Sequence, residues 1–501
     1  MHLAMLLQMS ADGMPDRVAF GSRADPMTMA EASERARRIA DYLQGQSGER
    51  VGLIDLNSSA IPLTLFGAAL AGKPFVPLNY RLTDDQLQAL VRRIAPAVVV
   101  VGDGMAERLG DIEGIDLVSR RDLLELSSDA GRPLADPYGG DPDDIAVLLY
   151  TSGTTGEPKA AVLRHRNLAS YILSTVEFSG ADEEEAAIVS VPPYHIAGLS
   201  AILSSTFAGR RIVYVETFDP ADWVGTVRTE GISQAMVVPT MLNRILDVLE
   251  EDGQGLPTLR SLSYGGGPMP LAVIERALKL LPEVDFVNAY GLTETSSTIA
   301  LLGPDDHREA FASSDPAVRT RLGSVGRPLP SVTVTIRDPD GGEMAVGARG
   351  EIWVQGEQVS GEYLGRAGAG DGWFHTRDAG HLDEGGFLYV HGRLDDVIVR
   401  GGENLSPGEI ESVLLEHPAV LEAAVVGVPD VEWGEKVVAA VVPAAGAEVD
   451  EDELRDFVRA RLRSTKTPER IQVRADLPFN ETGKLLRRVL REELASEFRT
   501  A

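Results

Sequence analysis

Layered α/β structure with largely parallel, buried sheets, followed by a smaller α+β unit, is the fold class that this sequence of 501 residues predicts. Three observations carry the expectation. Apolar β-branched runs bounded by Gly and Pro alternate with helical patterns through most of the chain, the texture of strands covered by crossover helices. That texture changes near Gly392, where shorter strands and helices take over. The charge changes too: residues 455–500 hold twelve Lys and Arg against seven Asp and Glu, in a chain whose net charge is −29.

Taken in order, a helical pattern at Thr28–Leu43 precedes buried runs at Val51–Ile54, Val98–Val101, Ile145–Leu149, Ile188–Val191 and Ile212–Val215, with a further helix at Ala221–Thr229. Ser127–Asp144, rich in Gly, Pro and Asp, reads as an exposed connection. Beyond Ser406 the spacing predicts a helix at Pro407–Leu415, strands at Ala423–Val428 and Val437–Val442, a helix at Glu451–Leu462 and a basic helix at Leu485–Ser496. Two of these starts read as capping boxes, Ser406-Pro407-Gly408-Glu409 with Pro at the first helical position, and Asp450-Glu451-Asp452-Glu453. A large domain at 1–393 and a small one at 394–501 follow from this division. No internal repeat interrupts it.

Composition excludes several functions. The 76 acidic residues against 47 basic ones oppose broad binding to nucleic acid or to anionic membranes. The absence of cysteine removes disulfides, zinc-thiolate and iron–sulfur sites and any thiol nucleophile. The start, Met1-His2-Leu3-Ala4-Met5, lacks the positive charge of a secretory leader, and no run approaches eighteen apolar residues, so a cytoplasmic chain without integral membrane association is expected. Neither a G-x-S-x-G elbow nor an H-E-x-x-H pair occurs.

The most informative stretch is Tyr150-Thr151-Ser152-Gly153-Thr154-Thr155-Gly156-Glu157-Pro158-Lys159, directly after a buried strand. Hydroxyls and approachable glycine N–H groups can wrap phosphate oxygens, and Lys159 adds a movable positive charge. It is not a Walker A loop, because Lys159 follows Pro and precedes Ala160. Further strings stand in order around it: Gly72-Lys73-Pro74-Phe75-Val76-Pro77, Pro192-Pro193-Tyr194-His195, Tyr264-Gly265-Gly266-Gly267, Asn288-Ala289-Tyr290-Gly291-Leu292-Thr293-Glu294-Thr295, Trp373-Phe374-His375-Thr376-Arg377-Asp378, Gly392-Arg393-Leu394-Asp395, Arg400-Gly401-Gly402-Glu403-Asn404 and Asn480-Glu481-Thr482-Gly483-Lys484.

With these motifs the chain resembles the AMP-forming adenylating (ANL) superfamily of acyl-CoA synthetases, peptide-synthetase adenylation domains and beetle luciferases, from about Val51 to Arg488. The resemblance implies an ANL-type fold, a large domain with a mobile C-terminal lid hinged near Asp395. It implies an ATP-dependent, Mg²⁺-assisted acid:CoA ligase that makes an acyl-adenylate and then a thioester. It assigns nucleotide binding to Thr151, Ser152, Gly153, Thr154, Thr155, Gly156, Lys159, Gly265, Gly266, Gly267, Asn288, Ala289, Tyr290, Gly291, Thr293, Asp378, Arg393 and Lys484. Tyr290 offers a flat face for adenine, Asp378 two acceptors for ribose hydroxyls, and Glu294 a hard oxygen ligand for Mg²⁺. Lys484, Glu294 and Thr151 form the catalytic set. Lys484 stands out, because a compact ammonium can neutralise two converging anions.

By the same resemblance the acyl pocket falls to His195, Val238, Pro239, Thr240, Tyr264, Gly266, Gly291 and Leu292. These are mostly apolar or small, so the substrate is a hydrophobic carboxylic acid. No acidic residue stands at His195-Ile196-Ala197-Gly198-Leu199 to grip an ammonium, which disfavours amino acids. Arg400, Gly401 and Gly402 face coenzyme A after domain rotation. Two departures stand out: Ala160 where the family has Gly after the loop lysine, and Arg377 where it has Gly in Thr-Gly-Asp. Two alternatives remain beside the CoA ligase, namely a ligase that loads the pantetheine of a carrier protein and a non-catalytic nucleotide or acyl binder.

Overall fold

The computed structural model describes residues 1–136, 140–151, 158–366, 368, 370–444, 446–479 and 485–497. Two large sheets form its N-terminal body. One has six strands in the order Ile115–Ser119, Ala97–Val101, Arg50–Ile54, Phe75–Pro77, Ile145–Thr151 and Lys159–Arg164, all parallel except the last pair. The other has nine, with the parallel strands Asp285–Leu292, Ser261–Gly265, Gln234–Val237, Ala186–Val189, Arg211–Tyr214 and Val18–Phe20 at its centre and antiparallel strands at both edges.

The sheets are joined by what lies between them. In helix Ala60–Leu70 all 11 residues are buried. A helix apolar all round has no face for water, and this one belongs in a layer covered on both sides. Helices Met29–Gln44 and Ile196–Ala208 share its core, which reaches Val98 and Leu149 of the six-stranded sheet and Phe20, Val189 and Ile212 of the nine-stranded one.

The expected strands and helices form with ends shifted by one to three residues at most positions. Pairing through the two large sheets is largely parallel, as expected, while a third sheet of Val332–Arg337, Gly350–Gly356, Phe374–Leu382 and Leu388–Arg393 runs antiparallel throughout. One expectation needs correction: Ser406 makes no cap. Its hydroxyl donates to His391 O at 2.9 Å, and Glu409 is drawn off to Lys466 at 2.7 Å and Arg349 at 3.4 Å. Full charges outcompete a backbone amide for that carboxylate. Asp450, in contrast, accepts from Glu453 N at 2.9 Å and caps its helix.

From Ile398 onward a fourth sheet forms, with Val420–Asp430 and Gly434–Pro443 as its long antiparallel pair and Arg470–Val473 added in parallel. Alternation along Gly434–Pro443 serves two cores. Val437, Ala439 and Val441 meet helices Pro407–Leu415 and Glu451–Arg461, while Val438, Ala440 and Val442 meet helix Arg487–Glu497.

Burial keeps five histidines neutral. It lowers His2, His195, His307 and His391 to about 4 and His165 to about 3. Each binds a proton more readily when unfolded, so folding stability is lost as pH falls from the unfolded value of about 6.5 toward these values. Buried Asp55, raised to about 6 against the pull of Arg120, works in the opposite sense as a single group. The melting temperature is therefore expected to decline steadily between about pH 6.5 and 4.5; a flat profile by scanning calorimetry would contradict the neutral assignments.

Candidate active site

Neighbouring strands bring separate motifs together. Parallel register sets Tyr264 beside Asn288 and Gly265 beside Ala289, while Val237 lies beside Tyr264. Val238–Thr240, Gly266–Gly267 and the turn Thr293–Thr295 thus follow the carboxyl ends of these strands, the place where open α/β sheets bind ligands. Two glycines are sterically required. A Cβ on Gly265 would lie 2.4 Å from Ala289 O, and one on Gly291 would lie 1.8 Å from Ser297 O.

Beyond this edge, Asp378 is almost fully buried on the antiparallel sheet. Tyr290 Oη donates to one carboxylate oxygen at 2.6 Å, and Arg393 Nη1 donates to the other at 3.0 Å and to Thr376 O at 3.0 Å. Burial opposes the Arg393 charge, yet the Asp378 carboxylate outweighs it and raises the guanidinium pKa. Burial and the same carboxylate keep the Tyr290 phenol protonated. Tyr290, Asp378 and Arg393 therefore form one hydrogen-bonded unit, with Glu294 within electrostatic reach of Arg393.

Glu294 is buried at the 3₁₀ turn Thr293–Thr295. Its carbonyl accepts from Ser360 N at 2.9 Å and Gly361 N at 3.2 Å, and its carboxylate accepts the Tyr363 hydroxyl. Burial and that carboxylate hold the Tyr363 phenol protonated, so it remains a donor. Tyr363 is the functional candidate the sequence reading missed. The available signal was an aromatic residue between glycines in Gly361-Glu362-Tyr363-Leu364-Gly365. The stretch is stitched to strand Lys159–Arg164 by Leu364 N to Ala160 O at 2.9 Å, Val162 N to Glu362 O at 2.9 Å and the Arg164–Glu362 ion pair at 2.8 Å.

Tyr363 also lines a cavity of about 350 Å³ with Tyr150, Lys159, Arg93 and Arg366. Three cations thus line one space in a chain with net charge −29. Thr151 and Lys159 are paired across their strands. Ser152, Gly153, Thr154, Thr155 and Gly156 lie outside the described residues, as does Lys484.

His195 precedes helix Ile196–Ala208 with its Nε2 enclosed and without a hydrogen-bond partner. Tyr264 is enclosed in the core, its hydroxyl 2.8 Å from His307 Nε2. The side-chain amide of Asn288 is buried and donates to Ser324 O at 3.0 Å.

The Arg400-Gly401-Gly402 turn belongs to the C-terminal unit. Arg400 pairs with Glu469 at 2.7 Å, donates to Thr465 O at 2.9 Å and lies over the Trp433 ring. Among the described residues no group of three His, Asp or Glu could hold a metal ion. One buried carboxylate joined through Tyr363 to a cationic cavity fits Mg²⁺ that arrives with nucleotide phosphates and keeps its waters. Tyr363→Phe is expected to raise KM for MgATP about tenfold with the fold intact, the worth of one charge-assisted hydrogen bond. An unchanged KM would remove Tyr363 from the site.

The buried Tyr290–Asp378–Arg393 unit lies within electrostatic reach of Glu294, and Tyr363 joins Glu294 to the cationic cavity. The chain belongs to the AMP-binding enzyme family. That family's model matches residues 7–364, and the model of the AMP-binding enzyme C-terminal domain matches residues 409–484. Feruloyl-CoA synthase of an Amycolatopsis species is 34% identical over 482 residues, covering 94% of this chain and 95% of that protein. The fatty acid–[acyl-carrier-protein] ligase ScoC of Streptomyces coeruleorubidus is 34% identical over 488 residues, covering 93% and 91%. Among solved structures, the o-succinylbenzoate CoA synthetase MenE from Bacillus subtilis, in complex with the acyl-adenylate intermediate OSB-AMP, matches with a TM-score of 0.82 at 30% identity over 97% of each chain.

Proposed function

We propose that this chain is an AMP-forming acid:CoA ligase for a hydrophobic carboxylic acid, an aryl acid in the first instance, acting in the cytoplasm. The observation that carries the reading is the joining of Glu294, through Tyr363, to the cationic cavity beside Thr151 and Lys159. A carboxylate is a poor electrophile until its oxygen becomes part of a good leaving group. Attack on the α-phosphorus of ATP forms the acyl C–O–P linkage and breaks the bond to pyrophosphate, which departs as an anion. Two anions must meet in this step, so the protein supplies positioning and fixed positive charge.

In this reading Lys159, Arg93 and Arg366 balance the leaving pyrophosphate, and the Tyr290–Asp378–Arg393 unit holds the ribose side of the nucleotide. Mg²⁺, when bound, neutralises phosphate charge, with Glu294 as its protein ligand. His195, neutral at physiological pH, meets the acid's carboxylate as a hydrogen-bonding group. Val238, Pro239, Thr240, Gly266, Gly291 and Leu292 line the acyl side, where small residues leave room for a ring. Lys484 bridges carboxylate and nucleotide. Coenzyme A then attacks the acyl carbon through its thiol, and AMP leaves.

Pyrophosphate release with ferulic, 2-succinylbenzoic and decanoic acids, each with and without CoA, tests the proposal. Release with at least one acid and AMP-coupled thioester formation with CoA are expected. Release that stalls with CoA but completes with a phosphopantetheinylated carrier protein would move the chain to the alternative that its similarity to ScoC favours. No release with any acid would leave only the binder.

A further inference from the structure

One residue of the third sheet sits in a backbone conformation that its type disfavours. Arg377 has φ +63°, the left-handed region where glycine is at ease and a Cβ costs about 1 kcal/mol. Its amide donates to Glu351 Oε1 at 3.1 Å and the neighbouring Thr376 hydroxyl to Ile352 O at 2.7 Å, so the conformation is firmly imposed. A non-glycine residue held there is best explained by what its side chain does. The guanidinium reaches Asp395 Oδ1 at 2.5 Å.

Asp395 lies in the turn Leu394–Asp396, which leads from the third sheet to the fourth. Along this turn the attachments change sides. Arg393 is tied to Asp378 and Asp395 to Arg377, both within the large body. The next residue, Asp396, is tied at 3.3 Å to Arg487 of the C-terminal helix, itself locked to Glu411 at 2.5 Å. At this turn the ties thus change from the large body at residue 395 to the C-terminal helix at residue 396, while further on Ser406 and Glu409 also meet His391 O and Arg349 of the large body.

We propose that Arg377 is a positioning residue, a latch on the interdomain pivot. Its ion pair with Asp395 stabilises the arrangement of the two domains seen here, and rotation about the backbone at Asp395 swings that carboxylate away and opens the pair. The latch rests on the proposed two-step reaction only for its purpose, which is to bias the domains toward one half-reaction. The pair is partly exposed, so the expected bias is a two- to fivefold population ratio, about what a surface ion pair supplies.

The absence of cysteine makes the test clean, because Asp305→Cys and Asp452→Cys place one spin label on each domain, at exposed sites. Distances between the labels are measured by pulsed electron spin resonance in that parent and with R377N, R377K or D395N added. R377N keeps a residue tolerant of positive φ and removes only the cation. The fraction outside the main distance is expected to rise about two- to fivefold in R377N and D395N, and to stay near the parent in R377K. Superimposable distributions in parent, R377N and D395N, with unchanged melting temperatures, would overturn the latch, as would an R377K that behaves like R377N.

The ratio of pyrophosphate release without CoA to acyl transfer from supplied acyl-adenylate should shift in R377N by the same factor. If the distances respond while no acid releases pyrophosphate, the reaction assignment falls and the latch stands. If both half-reactions run and the distances ignore Arg377, the latch falls alone.

Discussion

Lys484→Ala is expected to lower pyrophosphate release by about 10²–10³-fold while acyl transfer to CoA from a supplied acyl-adenylate stays within a few-fold of the parent. The asymmetry follows from charge. Adenylation brings a carboxylate against a triphosphate, and a cation between them is worth most where both anions press together. Thioester formation starts from a neutral acyl carbon and has no such need. Phe479 and Leu485 form a bridge and Leu486 N donates to Pro478 O at 2.7 Å, both within the C-terminal unit. Equal loss in both half-reactions would make Lys484 a general binding residue, and no loss in either would support the non-catalytic alternative.

Asp378→Ala should be the most damaging change within the large domain. It strips the Tyr290 hydroxyl and the Arg393 guanidinium of their shared acceptor in a nearly closed site, at a cost of about 2–4 kcal/mol in folding stability. In protein that still folds, KM for ATP should rise about 10- to 100-fold with a smaller change in kcat. The two effects separate in a double-mutant cycle. Tyr290→Phe removes one orphaned donor beforehand, so Asp378→Ala should then cost less stability than it does alone. Strict additivity by denaturant titration would mean that the Tyr290–Asp378 bond carries no energy of its own.

How much of this was legible in the residues differs from feature to feature. The phosphate-type turn announced itself, because three threonines, a serine and two glycines before a lysine have a composition few other structures need. Helix Thr28–Leu43 was readable for a similar reason: its periodicity is local, and the structure adds a capping box on Thr28 to the observed helix Met29–Gln44. The antiparallel third sheet was not readable. Its strands are half-exposed and joined by long turns, and pairing direction is decided by which edges meet, not by any one strand's pattern.

Side-chain direction was not legible either. Tyr264 and Gly265 are neighbours in one motif, a strand turns successive residues to opposite faces, and Tyr264 meets His307 in the core. Tyr363 shows the converse, a residue of an unremarkable loop that reaches Glu294 because the chain between them folds back on strand Lys159–Arg164. Arg377 combines both lessons. The sequence marked it as a substitution for glycine, and only the fold put Asp395 within its reach.

The sequence by itself determined the chemistry on offer, namely hydroxyls and a lysine for phosphate, oxygen ligands without thiols, a basic end on an acidic chain, and the order of the motifs. Those depend on residue type and local spacing, which the chain carries wherever it goes. The tertiary structure alone decided which of these groups meet: Tyr290 and Arg393 on one carboxylate, Tyr363 on Glu294, Arg377 on the pivot. Such meetings bring together residues that lie tens of positions apart. They are settled by how sheets stack and loops return, and those are properties of the assembled core that no short stretch contains.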